Sequence, residues 1–302
     1  MNIFKVKLKE HYKVMGGELD CVLRDRALSV ETTSADFRRP AVIVVPGGNY
    51  WFVSKSEGEP VADYFRNRGF QTFVLTYLTV GMFDANERKN ECFYWVDEKD
   101  AEEIDEVCYP EHLIELGAAV DYVRKHADEF MVNPDEIFVV GFSAGGHLVA
   151  DLAVEYASVG EKAGQALDCK PTAIGLGYPV ITNKEAFKGT HENLLRGYTQ
   201  EAKVELLKTL NLDEAVSAST APAFIWTMAT DNLVPSANSL RFALALAGHG
   251  VPYELHVYPR GEHGISTGER SLHPYIPDEA VRTARWKDDC VEFFKLFISE
   301  KI

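Results

Sequence analysis

Short apolar runs alternate with helical stretches along most of this chain, and this alternation restricts the fold more than any other feature. The runs are rich in β-branched and aromatic residues and lack a strict alternation of polar and apolar positions. Such runs are typical of strands that are buried on both faces of a parallel sheet. The six runs from residue 41 onward are 41–46, 70–77, 137–142, 172–180, 221–230 and 253–259.

Helical patterns separate these runs, which predicts the α/β class. Parallel strands need a crossover connection, usually a helix, and such crossovers are right-handed. Residues 1–30 contain two further strand candidates, which we expect to pair antiparallel at the edge of the sheet. The prediction is a mostly parallel central sheet of about eight strands with helices on both faces. The helix candidates are 57–68, 111–127, 144–157, 200–209, 236–248 and 279–299.

No internal repeat or low-complexity linker divides the chain, so we expect one domain over residues 1–302. Residues 81–109 interrupt the alternation, and a connection of this length is usually functional or mobile. Within it, residues 84–106 hold ten acidic and three basic side chains. Two interpretations stay open: a lid or substrate-selecting flap that presents the aromatic residues 93–95, or a solvated acidic excursion whose aromatic residues pack into the core.

Composition and charge exclude several classes of protein. The chain carries 31 Lys and Arg against 46 Asp and Glu, a net charge of −15, which disfavours binding to nucleic acid. No run approaches the roughly 18 apolar residues of a membrane-spanning helix. The five cysteines are widely spaced and show no disulfide or zinc pattern. Residues 1–14 alternate charged and apolar side chains, as a first strand does and a secretory signal does not, so we expect a cytoplasmic protein.

The motif G-x-S-x-G at residues 141–145 gives the strongest functional signal. An apolar run leads into it and a helical pattern follows it, which is the strand–turn–helix setting of a nucleophile elbow. Small residues on both sides let strand and helix approach closely, and the turn projects the Ser143 hydroxyl above the carboxyl edge of the sheet. The amino terminus of the new helix favours a negative charge that develops there. The alternative is a glycine-rich turn with a surface serine.

A serine nucleophile needs a base, and His263 is the predicted one. It follows the run 253–259 in a loop flanked by glycines, at the end of a strand, where catalytic groups collect in open α/β sheets. His147 lies one helical turn after Ser143, and we expect it in the packing beneath the elbow. The other seven histidines lie in no comparable motif.

The base needs a carboxylate that orients it, and Asp231 is the predicted one. It comes directly after the run 221–230 and before Pro235, so the chain order is Ser, Asp, His. Glu262 is adjacent to the histidine and badly placed to reach its Nδ1, and Asp213 lies in a helix–loop stretch. The alternative role for Asp231 is that of a helix N-cap.

Backbone amides near the serine are predicted to hold an oxyanion. The first is the amide of Ala144, the residue after the nucleophile. The second comes from the loop after the run 41–46, where paired glycines let amides point toward the substrate, and Gly48 and Asn49 are its candidates. The alternative is a glycine turn that serves only the backbone.

These residues resemble the α/β-hydrolase superfamily, in particular its acetyl esterase/lipase group, which includes bacterial acetylxylan esterases and other carbohydrate-ester deacetylases. The likeness runs from about residue 40 to 298 and is carried by VIVVPGGNY, GFSAGGHL, GYPVIT and the stretch from ATDNLVP to PRGEHG. It implies the catalytic set Ser143, Asp231 and His263. Pro46 and Asn49 depart from the H-G-G-G of the hormone-sensitive-lipase branch and favour the deacetylase-like members, which carry P-G-G.

The resulting prediction is a serine carboxylic-ester hydrolase that works through an acyl-enzyme without a metal or an organic cofactor. The resemblance implies a small-molecule ester with a short acyl group, such as acetyl on a sugar or a xylo-oligosaccharide. Tyr50, Trp51 and Tyr178 are the candidates for stacking on that sugar. The alternatives are a peptidase of the prolyl-oligopeptidase type and a catalytically silent hydrolase-fold binding protein, and a homo-oligomer stays open. We expect no nucleic-acid or membrane partner.

Overall fold

An eight-stranded sheet forms the centre of the molecule and is parallel except at one edge. The computed structural model describes residues 2–25, 37–102, 104, 106–185 and 189–299. The neighbouring strands follow the order β1-β2-β5-β3-β7-β8-β9-β10, and β4 and β6 form a separate two-stranded sheet. The strands are β1 Asn2–Lys7, β2 Glu18–Leu23, β3 Arg39–Val45, β4 Val53–Ser54, β5 Gln71–Thr76, β6 Phe93–Tyr94, β7 Val132–Phe142, β8 Ile174–Gly177, β9 Ala223–Met228 and β10 Tyr253–Tyr258.

The direction of the strands confirms the predicted fold class. β1 pairs antiparallel with β2, and β2 pairs antiparallel with β5, so the two strands from residues 1–30 lie at the sheet edge as predicted. The remaining six strands pair parallel. Each of the six apolar runs overlaps one of these parallel strands, although β3 and β7 begin two and five residues before their runs.

Helices cover both faces of the sheet. The pattern of β3 shows why its residues are apolar throughout: Ala41 and Ile43 belong to the hydrophobic cluster on one face, and Val42 and Val44 belong to the cluster on the other. Helices α3, α5 and α9 contribute to the first cluster, and α1 and α10 contribute to the second. The helices are α1 Glu59–Asn67, α2 Glu98–Glu102, α3 Glu111–Lys125, α4 Ala127–Phe130, α5 Ser143–Lys162, α6 Gly189–Leu194, α7 Gln200–Thr209, α8 Leu212–Ala215, α9 Ala237–Gly248 and α10 Trp286–Lys295.

The structure differs from the sequence prediction mainly in its short elements. The helix predicted over 279–299 is a 3-10 helix at Asp278–Arg285 followed by α10. The sequence did not predict β4, β6, α2, α6 or α8, each of which has six residues or fewer. Elements this short have little intrinsic stability and form because tertiary contacts hold them, so periodicity alone does not reveal them.

Residues 81–109 pack against the body of the molecule at several described positions. β6 pairs antiparallel with β4, and the ring of Phe93 stacks on Phe52 with centroids 3.7 Å apart. The hydroxyl of Tyr94 accepts a hydrogen bond from the amide of Glu59. Phe93 and Tyr94 are therefore half-buried against residues 52–59, whereas Trp95 is half-buried against the cluster that contains Leu78 and Val96. Residues 103 and 105 of this segment lie outside the described part.

Lysines of β1 and of the 3-10 turn Leu8–Glu10 that follows it neutralise part of the acidic charge of this insertion. Lys7 forms ion pairs with Asp97 and Asp100, and Lys9 forms another with Asp100. A backbone hydrogen bond and Lys7 lower the pKa of Asp97. Partial burial raises the pKa of Asp100, but its bonds to the two lysines outweigh burial and lower the pKa overall.

No described helix is long and apolar enough to cross a membrane.

Candidate active site

Ser143 lies at the junction of β7 and α5, at the carboxyl edge of the sheet. Its φ of +52° is the left-handed conformation of a sharp turn. A Cβ atom on Gly141 would lie 2.4 Å from the carbonyl oxygen of Gly145, and one on Gly145 would lie 2.2 Å from that of Val45. β7, α5 and β3 therefore approach so closely that the motif requires glycine at both positions. This packing places Ser143 beyond the carboxyl end of β7.

His263 and Asp231 complete a hydrogen-bonded chain that begins at this serine. The Nε2 of His263 lies 2.8 Å from the Oγ of Ser143, and its Nδ1 lies 2.8 Å from the Oδ2 of Asp231. The side chain of Asp231 has no solvent exposure, and that of His263 is 12% exposed. The three residues predicted from the sequence thus lie together, in the order that a nucleophile, a base and an orienting carboxylate require.

The loops after β9 and β10 hold the carboxylate and the imidazole in place. The Oδ1 of Asp231 accepts hydrogen bonds from the amides of Leu233 and Val234, both at 2.9 Å. Thr230 joins the two loops, because its hydroxyl accepts from the amide of Gly261 and donates to its carbonyl. The same Asp231 therefore shapes the turn before α9 and bonds the histidine, whereas Glu262 is exposed and Asp213 lies in α8.

Two of the three residues whose amides were predicted, Gly48 and Asn49, line a cleft of about 180 Å³ beside the serine. Gly48 and Asn49 have φ values of +139° and +60° and form the wall of this cleft. Within the described part of the chain, neither of their amides donates to a protein acceptor, and that of Ala144 lies in the first turn of α5, where no intrahelical acceptor exists. The amide of Gly47, in contrast, is occupied by the carboxylate of Glu57 at 2.7 Å.

Helix α6 supports the turn that carries these amides. Thr190 donates from its hydroxyl to the side-chain oxygen of Asn49, and Asn193 donates from its amide nitrogen to the backbone oxygen of Asn49. Both bonds are shorter than 3.0 Å. They hold a residue with positive φ in a defined orientation at the edge of the cleft.

Two of the three predicted sugar-stacking residues have no exposed ring, so that part of the prediction is wrong. Tyr50 is 1% exposed, and its hydroxyl lies 3.0 Å from the Nδ1 of His147. Tyr178 is fully buried, and its ring packs edge-on against His263 with centroids 4.8 Å apart. Both rings pack in the interior behind the cleft, so neither can contact a sugar. Trp51 is half-buried and lines a neighbouring cavity instead.

The α/β-hydrolase fold family matches residues 106–267, more than half of the chain. The chain belongs to this family. Its fold is shared by the solved acetyl ester-xyloside bifunctional hydrolase from Caldicellulosiruptor lactoaceticus, with a TM-score of 0.71 and 29% identity over 93% of this chain and 88% of that one.

Two curated relatives of this hydrolase-family chain are bacterial proteins. The chain is 31% identical over 234 residues to endo-1,4-beta-xylanase B of Butyrivibrio fibrisolvens, covering 76% of this chain and 33% of the relative. It is 27% identical over 234 residues to an acetylxylan esterase of Xylanibacter ruminicola, covering 76% of this chain and 41% of the relative. The chain therefore matches only a third to about two fifths of the length of these relatives.

Sequence reasoning missed one residue of this hydrolase-family site, the buried Glu57. Its Oε2 accepts from the amide of Gly47, its Oε1 accepts from the hydroxyl of Tyr178 at 2.6 Å, and it lines the cleft. Burial raises the pKa of Glu57, although its bonds to Tyr178 and Gly47 and the nearby His263 act in the opposite direction. No spacing marks this residue, because Tyr178 comes from a loop more than a hundred positions away.

Three buried histidines lie behind the turn that begins at Gly47. Burial lowers the pKa of His112 to about 3, of His191 to about 4, and of His147 well below its usual value, so all three are neutral. His147 occupies the packing beneath the elbow, as predicted. Among the described residues, no group of three or more His, Cys, Asp or Glu side chains is arranged to hold a metal ion.

Proposed function

We propose that this chain is a serine carboxylic-ester hydrolase that removes short acyl groups, chiefly acetyl, from carbohydrate esters. The observation that carries the proposal is the hydrogen-bonded chain Ser143–His263–Asp231 at the carboxyl edge of the sheet. A serine hydroxyl is a weak nucleophile, and a histidine within 2.8 Å of its oxygen can remove the proton as the oxygen attacks.

In the first half of the reaction, the Oγ of Ser143 attacks the ester carbonyl while its proton passes to the Nε2 of His263. Asp231 holds the tautomer in which Nε2 is free to accept and stabilises the resulting imidazolium. The amides of Ala144 and of Gly48 or Asn49 donate to the oxyanion of the tetrahedral intermediate. The intermediate collapses to an acyl-enzyme as His263 gives its proton to the departing alcohol oxygen.

In the second half, the same base activates water. His263 accepts a proton from the water molecule, whose oxygen attacks the acyl carbon of the ester formed with Ser143. Collapse of the second intermediate returns the proton to the serine oxygen and releases the carboxylic acid.

The size of the cleft supports a short acyl group. Its volume of about 180 Å³ is below the roughly 300 Å³ at which pockets for drug-sized ligands begin. Phe52 and Leu233 supply its apolar lining, which suits a methyl group better than an extended chain. The carbohydrate part of the proposal is supported by the named acetylxylan esterase and acetyl ester-xyloside hydrolase among the similar proteins.

The proposal is tested with p-nitrophenyl acetate, butyrate and octanoate, together with an acetylated xylo-oligosaccharide. We expect kcat/KM to be highest for acetate among the three synthetic esters and acetate to be released from the oligosaccharide. The variant Ser143→Ala should lose about 10⁶-fold in kcat, because the nucleophile is removed. Its thermal unfolding should match that of the parent chain.

The matched control is Ser219→Ala, which removes an exposed hydroxyl in the loop before β9 and should leave turnover unchanged. Unchanged hydrolysis by Ser143→Ala would disprove the mechanism. A folded chain that cleaves none of the esters would disprove the activity, and cleavage of a prolyl peptide in its place would favour a peptidase.

A further inference from the structure

A second cavity, of about 470 Å³, lies on the other side of the turn that carries Gly48 and Asn49. Trp51 lines this cavity, whereas Gly48, Asn49 and Phe52 line the cleft of Ser143. Two residues of chain span at most about 7 Å, so the Cα atom of Trp51 lies within about 7 Å of that of Asn49. Six of its eight lining residues come from positions 80–107, which places the acidic insertion along its wall.

Backbone hydrogen bonds hold the segment that carries Trp51, one of the residues that line this cavity. The amide of Gly81 donates to the carbonyl of Trp51 at 2.8 Å, and the amide of Val80 donates to that of Tyr50 at 3.0 Å. A Cβ atom on Gly81 would lie 2.9 Å from the indole nitrogen of Trp51. The absence of a side chain at Gly81 therefore lets the indole lie directly on residues 80–81.

Three charged side chains, those of Asp84, Glu106 and Arg196, line this cavity. The guanidinium of Arg196 lies 5.8 Å from the centre of the Trp51 indole. Arg196 and Glu106 are both exposed, and the carboxylate of Glu106 lies against Gly197. Asp84 contributes a further carboxylate, one oxygen of which accepts from the amides of Asn86 and Glu87.

We propose that this cavity binds the sugar rings of a carbohydrate ester whose acyl group enters the Ser143 cleft. This inference rests on the proposed function and names the site that recognises the alcohol part of the substrate. A pyranose has an apolar C–H face that packs on an indole, and hydroxyls around its edge that donate to carboxylates and accept from a guanidinium. Two carboxylates disfavour an anionic ligand, the arginine disfavours a cationic one, and the three charged side chains together disfavour a lipid chain.

The kinetic test compares an acetylated xylo-oligosaccharide with p-nitrophenyl acetate, which has no sugar. Trp51→Ala should lower kcat/KM for the oligosaccharide about tenfold more than for p-nitrophenyl acetate, and the loss should appear in KM. Trp51→Phe should restore most of this difference, since it keeps a flat apolar face. Arg196→Ala should show the same selective loss. The control is Arg241→Ala. Arg241 is exposed, pairs with Glu185 and lines neither cavity, so this variant should show no selective loss.

A binding measurement separates this proposal from the proposed function. Titration calorimetry of Ser143→Ala with the deacetylated xylo-oligosaccharide should show binding that Trp51→Ala in the same background weakens about tenfold. Binding without ester hydrolysis in the parent chain would uphold the sugar site and overturn the esterase. Ester hydrolysis with equal losses on both substrates in Trp51→Ala, or without any binding of xylo-, manno- or cello-oligosaccharides, would overturn the sugar site alone.

Discussion

On one side of the cleft, Ser143, Asp231 and His263 each lie within five residues of the end of a strand. On the other side, residues 47–59 are held by segments that are distant in sequence. The first side is positioned by the sheet itself, because parallel strands end at one edge and bring their loops together. The second side is positioned by single contacts such as that of Glu57 with Tyr178.

This difference teaches where substitutions should act. A change on the strand-end side removes a group that reacts, so it should lower kcat by orders of magnitude while the fold stays intact. A change on the opposite side should alter how well the reacting groups are oriented, with smaller effects on kcat and measurable effects on pH dependence or stability. Three predictions test this division, and they are given from the largest expected effect to the smallest.

Asp231→Asn should lower kcat about 10⁴-fold with little change in KM or thermal stability. An asparagine oxygen can still accept from the amides of Leu233 and Val234, so its NH₂ group would face the Nδ1 of His263. Nδ1 would then be the acceptor and Nε2 would carry the hydrogen, which leaves no base for Ser143. The measurement is steady-state hydrolysis of p-nitrophenyl acetate.

Asp213→Asn is the control for this variant, since Asp213 and Glu262 are the two other carboxylates considered as partners of the histidine. Asp213 is half-buried in α8 and bonds none of the three residues, so its kcat should stay within about twofold of that of the parent chain. A loss of less than tenfold in Asp231→Asn would contradict the role assigned to the carboxylate and would remove the contrast between the two sides.

Glu57→Gln should lower kcat about 10–100-fold, less than the loss of a reacting group. The glutamine oxygen can replace one acceptor, but its NH₂ group cannot accept from the hydroxyl of Tyr178, which already accepts from the amide of Ser266. The loss of a negative charge near His263 should also weaken the electrostatic stabilisation of its protonated form. The acid limb of the kcat/KM profile should therefore move to lower pH.

Glu59→Gln is the matched control, because its exposed side chain lies two residues away at the start of α1. Its pH profile should coincide with that of the parent chain. If Glu57→Gln lowers kcat with no movement of the acid limb, the carboxylate only supports the backbone and does not act on the imidazole.

The two sides also differ in how far the sequence predicts them. Apolar runs in the sequence predict where strands end, so the positions of Ser143, Asp231 and His263 follow from the order of the runs and the motif at 141–145. The sequence does not predict the burial of Tyr50 and Tyr178, because an aromatic residue in a loop can pack inward or be exposed to solvent with the same local pattern. Helix α6 and the pair β4–β6 are equally hidden, since distant contacts stabilise them.

The smallest predicted effect lies behind the second side, at Asp151 in α5, one helical turn after His147. Burial, with Glu155 nearby, raises the pKa of Asp151 to about 8 from 3.8. Between these values the folded chain keeps a proton that the unfolded chain releases, so this group lowers the free energy of unfolding as pH rises, by up to about 1.4 kcal/mol per pH unit. Asp151→Asn keeps the shape and removes the proton exchange. Its stability advantage over the parent chain should grow by about 2–3 kcal/mol from pH 5 to pH 7 in urea unfolding.

Asp135→Asn, at an exposed position of β7, should show no such growth, since its carboxylate is solvated in both states. An advantage of Asp151→Asn that is the same at both pH values would mean that the buried carboxylate is ionised. In that case, the carboxylate of Asp151 would be charged in the folded chain and stabilised by partners, as that of Asp231 is. The two sides of the cleft would then not differ in how they stabilise a buried carboxylate.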